Sequence, residues 1–404
     1  GVHIMKFIFL SFKKNILPFL FLLFALFLVI FSKTNLIAAK NGLILWANNV
    51  VPSLFPFFVI TELLSNTNLV YHIGKLFDKL MRPLFNVPGE CAFAFIMGLI
   101  SGYPTGGKIV SDLREQGVCT KEEGDRMLAF TNNSGPLFII SCVGISLFGD
   151  SKTGFLLLIT HILSAITVGI IFGKLFSNKS KTKVHVSTQF TPPIKKEPLT
   201  FRNLGKLLGQ SIQGSISTIL IIGGFIVIFS VIISILQNSH ILEYLSQLLR
   251  PIAYLLGIDF RFIKPILSGI LELTNGINMV ANISIKSISQ NIIICSFLLG
   301  FGGISVLLQV FSMLSKTDLS INKYILGKFL QGIIAAFYTF LALKFFPFLN
   351  LDVVPTCVPI AEAIVYPINL FGLNSYILLM LVLFFIVFVA FSHKDNKRKT
   401  KCFK

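Results

Sequence analysis

Two stretches decide how this chain folds: LISGYPTGGKIV, Leu99 to Val110, and ILSGILELTNGINMV, Ile266 to Val280. Each is apolar enough to enter a bilayer, yet Gly, Pro, Thr or Asn interrupts it in the middle. A lipid-facing helix gains nothing from such a break, because each freed backbone group costs several kcal/mol in hydrocarbon. Broken segments at matching places in two halves of a chain point instead to the binding site of a membrane carrier.

Composition supports that class. Of 404 residues 54% are hydrophobic and only 13% charged, and Phe alone numbers 42. A soluble domain carries roughly 25% charged residues. Apolar runs long enough to span a bilayer fall near 15–32, 43–65, 127–148, 153–175, 213–236, 291–314, 325–347 and 372–392. The fold class expected is therefore an all-α polytopic membrane protein. It has about eight transmembrane helices, with the broken segments near 89–110 and 261–285.

The net charge of +18 sits between apolar runs and in the tail. Between Lys174 and Lys206 there are eight Lys/Arg against Glu197, and the tail from Ser392 holds six against Asp395. Such clusters are cytoplasmic topology signals. No nucleic-acid recognition module accompanies them, so nucleic acid is not an expected partner. The cysteines (Cys91, Cys119, Cys142, Cys295, Cys357 and Cys402) show no CxxC spacing, which argues against a zinc ribbon or a disulfide framework. No GxSxG, HExxH or Walker A pattern occurs, so the expectation is no enzyme, no cofactor and no metal.

The charge rule also decides how the first broken segment lies. With Lys6, Lys13 and Lys14 inside, a full crossing by 89–110 puts the basic linker outside. A segment that enters and returns puts inside the linker, the basic tail, and Lys75, Lys79, Arg82, Arg114, Lys121 and Arg126. The expectation is thus two re-entrant helical hairpins in two inverted repeats, with both termini cytoplasmic. Weak internal symmetry agrees: Arg82-Pro83 and Arg250-Pro251 lie 168 residues apart, as do Gly135 and Gly303. Ser101-Gly102 and Ser268-Gly269 lie 167 apart. The expected organisation is an uncleaved signal-anchor span (1–40), a first repeat (41–176), a basic Pro-containing linker (177–208), a second repeat (209–350), and an outer loop, last span and basic tail (351–404).

Half-helix starts expose N–H groups that favour anions, and unwound carbonyls favour cations. In GYPTGGK the glycines Gly102 and Gly106 admit close approach, Tyr103 and Thr105 offer hydroxyls, and Lys108 adds a charge. Asn132, Asn133 and Ser134 place uncharged donors and acceptors inside a span, and Glu272, Thr274, Asn275 and Asn278 do so from the second half. Together these are the expected substrate-binding residues, suited to a small polar ligand. Ser, Thr, Asn and Gly also serve simply to pack helices, and Lys264 suits snorkelling to the headgroups. Intramembrane ionisable residues are functional candidates by default, which makes Glu272 and Glu62 the expected ion-coupling residues. Glu62 and Glu90 also suit an interfacial position.

The strings VPSLFPFF (51–58), GYPTGGK (102–108), TNNSGPLF (131–138) and ELTNG (272–276) resemble those of the YlbJ-type sporulation integral membrane proteins, which carry two nucleoside-recognition, or Gate, repeats. The resemblance implies a protein of endospore-forming bacteria, placed in the outer forespore membrane, that moves dipicolinic acid from the mother cell toward the forespore. Gate repeats are similar to parts of concentrative nucleoside carriers, whose re-entrant hairpins bind substrate. Dipicolinate, a small planar dianion, is thus the expected cargo. A nucleoside or nucleobase carrier and a non-transporting spore-envelope scaffold are the alternatives. Changing Lys108 to Gln separates the first two, since a dianion site needs that cation and a nucleoside site does not. Partners expected are the small-molecule substrate and the bilayer, with a homo-oligomer or a sporulation membrane partner left open.

Overall fold

A computed structural model describes Pro18 and residues 20–65, 69–176, 202–283 and 289–345. Most of the basic linker and the whole of the expected outer loop, last span and tail lie outside these residues. Among the described residues every regular element is helical. Four helices among these residues are long and apolar enough to cross a membrane: α8 (Ser151–Leu175), α9 (Leu204–Asn238), the run Ser289–Leu314, and α16 (Ile321–Phe345). A fifth span arises if two helices bent at 99°, Leu20–Ile30 (α1) and Ser32–Asn48, are one.

The N-terminal region departs from expectation. The helix Leu20–Ile30 ends in a sharp turn at Phe31, close to the end expected for the first span, whose residues 15–17 and 19 lie outside the described ones; Asn35 Nδ2 donates to Phe27 O at 3.0 Å across the corner. No loop separates a first span from a second. Instead α2 (Ser32–Leu45), a π-helical turn (Trp46–Val50) and α3 (Val51–Ser65) form one helical run. Ala, Leu and Lys in α2 are good helix formers, and its Gly42 is a packing residue. A Cβ on Gly42 would sit 2.8 Å from Ser230 Oγ of α9. Trp46 Nε1 donates to Ile219 O at 3.0 Å, and Glu62 lies against Gly214. The run therefore lies antiparallel along α9, with small residues admitting the close approach.

Both broken segments turn back on themselves. The first is α5 (Cys91–Ser101) and α6 (Thr105–Glu115). A Cβ on Gly98 would lie 3.1 Å from Gly106 Cα, whereas residues so spaced on a straight helix are about 12 Å apart. The second is α12 (Ile263–Leu271) and α13 (Leu273–Ala281), where a Cβ on Gly276 would lie 2.0 Å from Gly269 Cα.

Each hairpin is followed by a broken helix. The expected span 127–148 is α7 (Lys121–Thr131), an extended stretch at Asn132–Gly135, and a π-helical segment, Phe138–Leu147. Thr120 and Glu123 form a capping box that starts α7, and Asp150 caps α8. In the second half, α14 (Ser289–Phe301) passes through Gly302 and Gly303, both at positive φ, into α15 (Gly303–Leu314). The element order repeats: a helix with Arg-Pro near its end (α4, Leu69–Phe85) or two short ones (α10, Ile241–Leu248; α11, Arg250–Leu255), then a hairpin, a broken helix and a long helix.

The two largest apolar cores interlock the halves. One joins α5, α6 and α7 with Leu307, Val310 and Leu314 of α15. The other joins α12, α13 and α14 with Ile139 and Val143 of the π-helical segment. Each broken helix thus begins in its own hairpin's core and ends in the other's.

The hairpin bases lie at opposite ends of the Ser289–Leu314 run, which is about 39 Å long at 1.5 Å per residue. At one end Arg114 of α6 grips Asp318, just beyond α15, at 2.8 and 3.0 Å. At the other, Asn291 Nδ2 donates to Val280 O and Ile283 O beyond α13 at 2.7 and 3.0 Å. Arg126 also ties the strand of chain entering the first hairpin to the end of α8, donating to Asn86 O and Phe176 O.

Candidate functional site

The hairpin tips and the helix breaks meet one another. Gly102 has φ +81°, which only glycine adopts easily, and a Cβ there would lie 2.8 Å from Gly135 N. Tip one therefore rests directly on break one. Gly303 does the same in the second half: its Cβ would lie 3.0 Å from Gly269 O and 3.3 Å from Leu273 N. Tyr103 then links the halves, its hydroxyl donating to Leu299 O at 2.8 Å beside Gly302.

Around tip one, Gly98 and Gly106 close on the Thr131 carbonyl, where added Cβ atoms would lie 2.0 and 2.2 Å from the oxygen. Gly107 N donates to Asn132 Oδ1 at 3.3 Å, so a side chain from break one caps α6. Asn132 Nδ2 donates to the Tyr324 hydroxyl at 2.5 Å, and Asn133 Nδ2 to Phe130 O at 2.8 Å. Ser134 N donates to His161 Nε2 at 3.1 Å, which leaves that imidazole neutral with its proton on Nδ1.

Tip two is closed by its own acid. The Glu272 carboxylate caps α13, accepting from Thr274 N at 3.1 Å and Asn275 N at 2.8 Å. The start of α13, expected as an anion site, therefore already holds an anion. Thr274 and Asn275 sit half-buried at this tip, while Asn278 points further along α13, its Oδ1 accepting from Asn282.

Lys108 is not a free charge. It pairs with Glu62 of α3, both side chains half-buried. Lys264 pairs with Glu243 at 2.5 Å. The structure therefore gathers Gly102, Tyr103, Thr105, Gly106, Asn132, Asn133 and Ser134 at one centre, with Glu272, Thr274 and Asn275 on the far side of Gly302–Gly303. Lys108 and Glu62 stand to one side as a pair.

Three residues of α16 complete the centre and are absent from the sequence-based candidates. Lys328 Nζ donates to Asn132 O at 2.8 Å and to Gln331 Oε1 at 2.6 Å, and lies 4.9 Å from the Tyr103 ring centroid. Gln331 Nε2 donates to Asn133 Oδ1 at 2.8 Å. With Tyr324 these residues make one face of α16, and all three are fully buried. Their spacing of four and three residues is the only sequence signal for that face. Buried hydroxyls of Thr105, Thr131 and Ser268, and His161 Nδ1, have no partner among the described residues.

Hairpin tips set against helix breaks, lined with amides and hydroxyls, are the arrangement in which a membrane carrier holds a small polar solute. The profile of the Gate family, described as "Nucleoside recognition", matches residues 47–176 and 219–317, one stretch in each half. The chain is also 35% identical over 316 residues to the sporulation integral membrane protein YlbJ of Bacillus subtilis (strain 168), covering 76% of this chain and 77% of that protein. The chain belongs to the YlbJ-type Gate family. As a Gate protein with long apolar helices it is an integral membrane protein. The matched stretches contain both hairpins and both breaks, but they end before α16, so the buried face carrying Lys328 lies outside them.

Proposed function

We propose that this Gate protein carries a small polar anion, dipicolinate, from mother cell toward forespore during sporulation. The observation that carries this reading is the meeting of two hairpin tips with two helix breaks, the hairpin bases opening at opposite ends of the Ser289–Leu314 run. The reading takes the hairpins as re-entrant and the halves as inverted repeats, so that the central site is reached alternately from either side. The first hairpin's base, rich in Arg114, Lys121 and Arg126, then faces the cytoplasm. The name of the Bacillus subtilis relative supports the sporulation setting and a place in the spore-forming cell's membranes.

A nucleoside or nucleobase carrier is the second reading. The family description and the amides of Asn132, Asn133 and Gln331, which suit base edges, favour it. Uptake into proteoliposomes of the purified chain, comparing labelled dipicolinate with uridine and adenosine, separates the two. Dipicolinate accumulation supports the first reading. Nucleoside uptake alone replaces it with the second. No uptake of any of them by folded protein overturns both.

A further inference from the structure

We propose that Lys328 is the counter-charge that binds a carboxylate of the transported anion, an assignment that rests on the carrier reading above. The Lys328 side-chain nitrogen is fully buried, at the point where tip one, break one and α16 converge. Its partners are all neutral: a backbone carbonyl, a side-chain amide oxygen and the face of a tyrosine ring. Among the described residues no carboxylate pairs with it, whereas Lys108, Arg114, Lys264 and Lys323 each meet an acid.

A buried cation without a counter-ion is costly, because neutral hydrogen bonds do not replace its hydration. Such a residue inside a membrane protein marks a solute or ion pathway. Two of its three N–H donors are held by Asn132 O and Gln331 Oε1, and the third faces the Tyr103 ring. A carboxylate entering between Tyr103 and Gln331 would supply the missing charge in place of the amide oxygen. The Gln331 amide is well placed to yield, because its Nε2 is anchored separately to Asn133. Donors for the rest of a polar ligand stand close by. Thr131 adjoins Asn132 in the chain, and Thr105 adjoins Gly106, whose Cβ would lie 2.8 Å from Asn132 Cα. Both hydroxyls are buried without a partner among the described residues. The site so formed suits a compact carboxylate or dicarboxylate and gives charge, rather than shape alone, the task of selection.

The test uses the full chain in lipid nanodiscs, with two probes of similar shape: dipicolinate and the uncharged diol 2,6-pyridinedimethanol. The variants are Lys328→Met and Lys328→Gln, the second retaining a donor for Asn132 O. Wild type is expected to prefer dipicolinate. Both variants are expected to fold and to bind dipicolinate about 10- to 100-fold more weakly, the loss set by removing a charged hydrogen bond, and to lose much less of their diol binding, so that the preference for dipicolinate over the diol falls. Variants that still prefer dipicolinate as wild type does overturn the role of Lys328 and leave the carrier reading standing. A wild type that binds neither dipicolinate nor simpler carboxylates overturns both. Failure of both variants to fold makes Lys328 a structural residue and overturns the proposal.

Discussion

Lys108 of α6 is paired with Glu62 of α3, so the cation that the GYPTGGK string offers to an anionic cargo is already matched by the protein. The pair ties the first hairpin to the helix that runs along α9. Changing Lys108 to Met takes the ammonium away from the half-buried Glu62 carboxylate, and Glu62→Met takes the acid away from the half-buried lysine. The double variant is therefore expected to be more stable than the less stable single one, with a coupling on the order of 1 kcal/mol. Thermal unfolding of the four proteins in detergent closes the cycle. Independent effects would show that the pair contributes nothing.

Glu272 caps α13 with both carboxylate oxygens. Glu272→Ala removes the cap and leaves the N–H groups of half-buried Thr274 and Asn275 without it, so a loss of about 1–2 kcal/mol in stability is expected. Glu272→Gln keeps one acceptor oxygen and is expected to fall between Ala and wild type. If Glu272 instead carries a coupling ion, Gln abolishes the dependence of uptake on the ion gradient while leaving stability near wild type. Measuring melting temperature and gradient-driven uptake on the same preparations separates a cap from a carrier of charge.

Much of this arrangement is legible in the chain because Gly, Pro and Asn mark where an apolar helix cannot continue. Both hairpin turns, at Gly102 and Glu272, fall within strings that stand out by composition alone, whereas the breaks at Gly135 and Gly303 lie inside the runs 127–148 and 291–314, which read as continuous spans. What is not legible depends on neighbours. Nothing in SKTNLIAAKNGLIL says whether Ser32 to Leu45 is loop or helix until α9 supplies a surface for Gly42 and Trp46. Lys108 reads as a free cation until α3 brings Glu62 beside it. Lys328 lies near the start of a span, where a lysine ordinarily reaches the headgroups. Only the packing of α16 against both breaks buries it.

The close contacts at the first hairpin make a sharp prediction about size. An alanine Cβ at Gly106 would lie 2.2 Å from Thr131 O and 2.6 Å from Thr131 C, both backbone atoms that cannot swing away. Gly106→Ala is expected to force the hairpin off α7 and to cost several kcal/mol, seen as loss of monodisperse protein after extraction. Gly224 of α9 has no atom within 4 Å of its added Cβ, so Gly224→Ala is expected to extract as wild type does. Equal behaviour of the two variants would contradict the packing described.

Arg114 and Asp318 fasten the chain between α15 and α16 to the base of the first hairpin, and their bond has a defined response to acid. The Arg114 guanidinium hydrogen-bonds the Asp318 carboxyl and holds its pKa below the usual 3.8. A carboxylate lowered in the folded state stabilises the fold above its unfolded value, and the contribution disappears as the pH falls through the lowered one. The melting temperature of wild type is thus expected to exceed that of Asp318→Asn at neutral pH, with the gap closing below about pH 4. The pair is exposed, so the gap is expected to be small and to shrink in high salt. A gap that persists unchanged in acid or in salt would mean that Asp318 acts through packing rather than charge. In that case the fastening at this end would fall to its neighbour Asp125, which accepts Ser320 N at 2.7 Å and Lys323 Nζ at 2.8 Å.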